Sequence, residues 1–221
     1  MIHFNRELID DLDNLYRINL INSTSGYKSA NLIGSKDRHG VTNLAVFSSV
    51  IHMGSNPPLL GFILRPTKVA RHTYTNIKES KFYTINHIAD SFAEQAHHTS
   101  AKYASGVSEF DVTGLGQEYL NNFFAPFVQE SPVKIAMRYV EEYEVESNGT
   151  ILVIGEIVDL YLKEDLLEKD GFIDLSKGKI ASINGLDGYS FANQPKRFGY
   201  QRPRDTQNPV TAREMQRSNL I

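Results

Sequence analysis

The chain has 221 residues, 41% hydrophobic and 22% charged, which is enough to fold as one large packed domain. It has no cysteine, so disulfides, thiolate metal sites and a cysteine nucleophile are excluded, and its net charge of −3 provides no general attraction to nucleic acid or membranes. No apolar run approaches the roughly 20 residues that span a bilayer, so we expect a soluble cytoplasmic protein without nucleic-acid or membrane partners.

Strands dominate the first part of the chain after an acidic, weakly amphipathic N-terminal segment, in which Leu8, Leu12 and Leu15 are spaced by four and three. ANLIGS predicts a strand, KDRHG a turn that ends at Gly40, and VTNLAVFSSV the returning strand. LLGFILR, which follows two prolines, predicts a short strand buried on both faces.

The middle of the chain combines helices with one more strand. TYTNIKES predicts a short helix with Thr73 as its N-cap, and KFYTINHI predicts a strand. Ser91 and Glu94 have the spacing of a capping box, so a second helix is expected to start there. Residues 105–132 are rich in Gly, Asn and aromatic residues and predict irregular structure.

A long β-hairpin is predicted from VKIAMRYVEEYEV and TILVIGEIVDLYL. Asn148 and Gly149 between them favour a type I′ turn, and Gly155 indicates a bulge. At least six strands with few helices predict a mainly β fold, a β-barrel with a few decorating α-helices.

The strand at residues 41–50 has an unusually small and polar centre, formed by Asn43, Ala45, Ser48 and Ser49. A flat aromatic ring lies along a strand only where side chains are small, and its polar atoms need amide, hydroxyl or backbone partners. The same residues would also suit a crowded barrel interior or a subunit contact, and their spacing alone favours that second interpretation.

A basic, hydroxyl-rich stretch follows about twenty residues later and contains Arg65, Thr67, Lys68, Arg71 and Thr73. Cationic donors, hydroxyls and a helix N-terminus together suit a phosphate group, although a solvent-facing basic loop would have the same composition. The chain has no GxGxxG or GxxxxGK[ST] motif, no GxSxG elbow and no pair of histidines at metal-binding spacing, so we expect no metal site.

Five short motifs occur in a fixed order between residues 43 and 86: NLAVFS, NPPLLGF, RP, RHTYTNI and FYTIN. Together with the closing hairpin and the stretch INGLDGYSFANQPKRFGYQRP, they resemble the flavin reductase-like, FMN-binding split-barrel family over residues 18–203. Residues 1–17 are then an acidic N-terminal segment and residues 204–221 a C-terminal tail. The chain departs from many relatives at Tyr27-Lys28-Ser29, where they have a proline-rich segment.

The resemblance implies a Greek-key FMN-binding split β-barrel that forms a homodimer, with FMN rather than FAD near the interface. The residues that would contact the flavin ring and its ribityl chain are Asn43, Leu44, Ala45, Phe47, Ser48 and Ser49. The residues that would surround the phosphate are Arg65, Thr67, Lys68, Arg71 and Thr73.

The implied activity is that of an NAD(P)H:flavin oxidoreductase, which transfers a hydride from NADH or NADPH to the flavin and passes electrons on, for example to a partner oxygenase. Hydride transfer over ~3–3.5 Å needs positioning rather than an acid–base residue, so no catalytic residue is assigned. Two alternatives are open: an FMN-binding electron-transfer protein reduced by a protein partner, and a barrel that binds another ligand. The sequence does not identify the electron donor, the acceptor or the residues that hold nicotinamide.

Overall fold

The computed structural model describes residues 1–69, 71–104 and 106–200. Its helices are α1 (Arg6–Asp11), α2 (Asn14–Thr24), α3 (His72–Ser80), α4 (Ala93–His98) and α5 (Glu109–Thr113), with short 3₁₀ turns at Asp90–Phe92 and Glu164–Leu166. Its strands are β1 (Lys28–Ser29), β2 (Asn31–Lys36), β3 (Thr42–Phe47), β4 (Ile51–Ser55), β5 (Pro58–Leu64), β6 (Phe82–His87), β7 (Gln117–Glu118), β8 (Phe127–Val128), β9 (Val133–Val145), β10 (Thr150–Leu162), β11 (Ala181–Asn184) and β12 (Gly188–Phe191). No helix in these ranges is long and apolar enough to cross a membrane.

Seven antiparallel strands form the main sheet, in the order β3-β2-β6-β9-β10-β5-β4. The Ser49 hydroxyl, just after β3, bonds both the N–H and the C=O of Ile63 in β5 at 3.1 Å. The two sides of the sheet therefore meet, as they do in a barrel. A three-stranded sheet (β1-β11-β12) and the β7-β8 pair complete the predominantly β fold, and the predicted fold class is confirmed.

Two apolar cores lie on the two faces of β2 and β3. Leu32 and Leu44 belong to one core, together with residues of α4, α5 and the small sheet. Ile33 belongs to the other, inside the barrel, and Phe47 packs against it. Because side chains alternate along a strand, Asn43 and Ala45 share the barrel-facing side with Phe47, whereas Leu44 points the other way.

The predicted strands at β2, β3, β5, β6, β9 and β10 are present, with two differences. The strand expected at residues 41–50 ends at Phe47, and a separate strand, β4, follows it. β5 is not buried on both faces, since Leu59, Leu60 and Ile63 are only half-buried. Its neighbour β4 lies at the sheet edge with mostly exposed side chains, and it gives β5 little cover on that side.

Both predicted helix caps are wrong. α3 begins at His72 after Arg71, and the Thr73 side chain accepts a hydrogen bond from Asn43 instead of capping the helix. The second helix begins only at Ala93, because residues 90–92 form a 3₁₀ turn that places Ser91 outside the N-cap position. In both cases a tertiary or local contact determines the helix start more strongly than the cap pattern.

The turn of the long hairpin also differs from the prediction. Four residues, 146–149, connect β9 and β10, and among them only Gly149 has a positive φ, of 68°. The type I′ turn is therefore wrong, because it needs positive φ at both central residues. The bulge is confirmed: Ile154 pairs with Glu141 and Gly155 with Tyr139, so Val140 has no opposite residue.

The predicted domain limits are only partly covered by the structure. Helix α2 runs through the expected boundary after residue 17, and its N-cap Asp13 accepts hydrogen bonds from the N–H groups of Leu15 and Tyr16. The expected C-terminal tail, residues 204–221, lies outside the described residues.

Candidate functional site

Strand β3 offers an open edge on which a flat ligand could lie, because among the described residues it pairs only with β2. Ala45, Phe47, Ser48 and Ser49 are all half-buried there. The Phe47 ring packs edge-on against Phe62, with ring centroids 5.1 Å apart, so part of its surface belongs to the barrel core. The small residues around it leave the backbone of the strand accessible.

The first half of this edge is covered by the start of α5. The Leu44 N–H donates to Glu109 Oε2 at 2.9 Å, and the hydroxyls of Thr42 and Ser108 lie 2.7 Å apart. Glu109 is 7% exposed. Because backbone groups of an edge strand point outward at every second residue, the next outward-facing groups belong to Val46. Within the part of the chain that the structure describes, the edge of β3 is therefore unpaired from Val46 onward.

The position of Leu44 argues against a contact between its side chain and a flavin. Its side chain is fully buried in the core opposite the barrel interior, and its N–H is used by Glu109. Neither group can reach a ligand on the open half of the strand. Nothing in the sequence around Ser108 and Glu109 marked them as partners of a strand 65 residues away.

A buried hydrogen bond joins β3 to the start of α3. Asn43 Nδ2 donates to Thr73 Oγ1 at 2.9 Å, and the two residues are 7% and 5% exposed. Thr73 accepts in this bond, so its own hydroxyl proton can be donated to a ligand. The polar strand and the basic stretch, which the sequence presents as two separate signals, thus lie in direct contact.

The N-terminus of α3 has the features of an anion site. Its first three N–H groups, from His72, Thr73 and Tyr74, have no acceptor within the helix, and no side chain caps it. Arg71, immediately before it, has a buried Nε without a hydrogen-bond partner in the described part of the chain. A buried cationic donor beside uncapped helix N–H groups fits a phosphate, and this orphaned atom supports the predicted phosphate end.

The remaining predicted phosphate residues lie on the loop after β5. Arg65, Thr67 and Lys68 are exposed, and neither cation forms an ion pair with any residue that the structure describes. The bonds between Ser49 and Ile63 hold the start of this loop near the end of β3. The structure thus places the loop beside the strand, with its cations directed to solvent.

Helix α3 is held against the long hairpin by a polar cluster that the sequence did not indicate. Tyr74 Oη donates to Glu142 Oε1 at 2.8 Å, and Lys78 Nζ lies 3.0 Å from both Glu142 Oε1 and Tyr139 Oη. Burial alone would raise the pKa of Glu142, but its hydrogen bonds with Tyr74 and Lys78 bring it below the usual value. Through these contacts Glu142 anchors the helix that begins beside Arg71 and contains Thr73.

We expect Glu109→Gln to gain stability relative to the wild type as the pH rises from about 4 to 7. Burial raises the pKa of Glu109 above 4.5, opposed by the Leu44 N–H and by His72. A raised carboxyl pKa gives stability that is present below 4.5 and lost as the pH rises through the folded-state pKa. Urea unfolding at both pH values tests this, with the exposed Glu79→Gln as control. If Glu109→Gln and the wild type differ by the same free energy of unfolding at both pH values, the raised pKa of Glu109 is contradicted.

Residues 27–176 match the family model described as flavin reductase like domain. A split-barrel protein of the flavin reductase type from Shewanella frigidimarina NCIMB 400 is 50% identical, over 91% of this chain and 100% of that chain, with a TM-score of 0.88.

Two more distant structures share the fold. Nitrilotriacetate monooxygenase component B from Bacillus cereus is 20% identical, over 90% of this chain and 98% of that one, with a TM-score of 0.77. Flavoredoxin of Desulfovibrio vulgaris (Miyazaki F) is 23% identical, over 79% of this chain and 92% of that one, with a TM-score of 0.69. At these identities the likeness concerns the fold alone.

Proposed function

The chain belongs to the flavin reductase-like domain family, and from this premise we propose that it binds FMN and transfers a hydride to it from NADH or NADPH. The observation that carries this proposal is the Asn43–Thr73 hydrogen bond. It joins a strand edge that suits a flat ring to a helix N-terminus that suits a phosphate.

The phosphate would bind at the start of α3. Arg71 offers its unpartnered Nε, Thr73 offers its hydroxyl proton, and the uncapped helix contributes N–H groups. Arg65, Thr67 and Lys68 stay predictions for the outer side of the phosphate, where exposed cations would add long-range attraction.

The flavin ring and ribityl chain would lie along the open half of β3. Asn43, Ala45, Phe47 and Ser48 are the residues proposed to contact them. Ser49 has its hydroxyl committed to the backbone of Ile63, so its proposed contribution is to fix the end of the strand. Bound flavin would supply the redox chemistry itself. The protein supplies the edge of β3 on which the ring would lie. The start of α5 covers the first half of β3, at Thr42–Leu44, and keeps water from it.

The test is the absorption spectrum of the purified protein with and without NADH and NADPH in the absence of oxygen. We expect a yellow protein whose visible flavin absorption band is bleached in a single turnover by one of the two nucleotides. An FMN-loaded protein that neither nucleotide bleaches would contradict hydride transfer and favour the electron-transfer alternative, which the flavoredoxin-like fold also accommodates. A protein that binds no flavin would contradict both.

We also propose that the protein is a homodimer, as the resemblance implies. The strands β4, β9 and β10 expose large apolar side chains, and large exposed apolar areas are typical of interaction surfaces. These side chains are Ile51, Met53, Val140, Tyr143, Val158 and Leu160, each 41–55% exposed. A monomeric mass in solution would contradict this. We further propose that an oxygenase receives the electrons. A cytoplasmic location is also a proposal.

A further inference from the structure

A cleft of about 270 Å³ lies beside the candidate flavin site, between the β2–β3 turn, one face of α3 and the loop before α5. Asn43 and His72 line it. Both adjoin Thr73 at the proposed phosphate end, Asn43 through its hydrogen bond and His72 as the preceding residue. The cleft therefore continues from the point where the phosphate of FMN would sit, away from the open half of β3. The proposed binding of FMN leaves this space unused.

One end of the cleft carries an exposed guanidinium group. Arg38 is exposed and donates from Nε to His39 Nε2 at 3.2 Å, and it forms no ion pair with any described residue. The neighbouring Asp37 accepts the N–H groups of His39 and Val41 at Oδ1, both at 2.8 Å, and forms no ion pair with Arg38. With His72 on the opposite wall, this end offers donors suited to a phosphate.

The rest of the lining differs in character. Glu79 lies two turns after His72 on the same face of α3, and its carboxylate has no hydrogen bond or ion pair within the described ranges. Val41 and Val107 stand on separate segments, and each side chain is 39% exposed. A cation, a free carboxylate and two apolar side chains match a phosphate, ribose hydroxyls and a purine base, respectively.

We propose that this cleft binds the adenosine phosphate half of a dinucleotide. Arg38, His39 and His72 would hold the phosphate, Glu79 would accept the ribose hydroxyls, and Val41 and Val107 would pack on the adenine. The cleft, at about 270 Å³, lies just below the ~300 Å³ at which ligand pockets usually start, so it suits at most one half of a dinucleotide. The adenosine phosphate can come from NADH or from FAD, because each carries it next to the half that reacts, whereas the 2′-phosphate of NADPH would face the Glu79 carboxylate. This inference rests on the proposed function, since the other half would lie along β3.

The first experiment uses adenosine 5′-monophosphate alone as the probe, measured by calorimetry. We expect it to bind the wild-type protein at millimolar concentration and to bind Arg38→Ala about tenfold more weakly, as for loss of one charge-assisted hydrogen bond. Arg6→Ala, which removes an exposed cation from α1, is the matched control and should leave this binding unchanged. FMN affinity should stay within about twofold in both variants, because Arg38 lies outside the proposed FMN contacts.

The second experiment distinguishes the two sources. If FAD supplies the group, the wild type binds FAD more tightly than FMN, and Arg38→Ala removes that advantage. If NADH supplies it, FAD and FMN bind alike, and Arg38→Ala raises the KM for NADH about tenfold with kcat unchanged.

Three results would overturn the inference: no binding of adenosine monophosphate, an FMN affinity that falls as much as that of the probe in Arg38→Ala, or no difference in either source experiment. A protein that binds adenosine monophosphate but no flavin would instead show that the proposed function is wrong.

Discussion

Replacing Arg71 and Thr73 together by alanine is expected to weaken FMN binding by about 100-fold or more. The double variant removes a buried cationic donor that has no partner among the described residues and a hydroxyl that can donate to the phosphate. Each charge-assisted hydrogen bond of this kind contributes about 1.5–3 kcal/mol, and every 1.4 kcal/mol or so is a factor of ten in affinity. Quenching of flavin fluorescence during titration gives the dissociation constant.

The controls separate this effect from damage to the fold. Thr73→Ala removes the acceptor of Asn43 Nδ2, and an unsatisfied buried donor costs about 1–3 kcal/mol of stability. Thr73→Ser keeps that acceptor and should keep most of the FMN affinity. Arg138→Ala, which removes a half-exposed cation from β9, should not change it. Unfolding in urea shows whether each variant is folded under the titration conditions. Wild-type FMN affinity in a folded double variant would remove Arg71 and Thr73 from the phosphate site.

The strands were predictable from sequence where their apolar pattern reflects burial, as in β9 and β10. The strand β4 was missed because its side chains are largely exposed at the edge of the sheet, so its sequence carries no burial pattern. The predicted helix starts were wrong because cap patterns describe local preferences. Thr73 instead accepts a hydrogen bond from Asn43, which lies 30 residues away in the chain. Local sequence rules predict which segments of this protein form strands better than they predict where those strands begin and end.

The residue types of the candidate site were predictable from the sequence, but the hydrogen bonds between its residues were not. The small polar strand and the basic stretch were both visible, and the order of the motifs connected them. Alternation along a strand already places the Leu44 side chain on the face opposite to the side chains of Asn43 and Ala45. Glu109 carried no signal, because a carboxylate that bonds the backbone of a distant strand looks like any other acidic residue.

Gly34→Ala is expected to lower the free energy of unfolding by about 3 kcal/mol or more. A Cβ at this position would overlap the carbonyl oxygen of Pro126 and would lie 2.6 Å from Thr84 Oγ1. Those two atoms are joined by a buried hydrogen bond of 2.7 Å, which would have to break or shift. Overpacking costs about 1–3 kcal/mol, and a buried hydrogen-bonding group left without its partner costs a similar amount again. Urea unfolding of the flavin-free protein measures the loss.

Gly61→Ala in β5 is the matched control, because the atoms nearest to its Cβ are the side-chain ends of Leu152 and Met53, at 3.2 and 3.3 Å, which can move. Its free energy of unfolding should change by no more than about 1 kcal/mol. Gly34 also pairs in register with Leu44, so the displacement that alanine forces on β2 would reach the strand proposed to carry the flavin. We therefore expect Gly34→Ala, but not Gly61→Ala, to lose FMN affinity together with stability. A Gly34→Ala protein as stable as Gly61→Ala would show that β2 can move away from Pro126 without cost. The neighbouring strand β3 would then not be held rigidly enough to position a flavin ring.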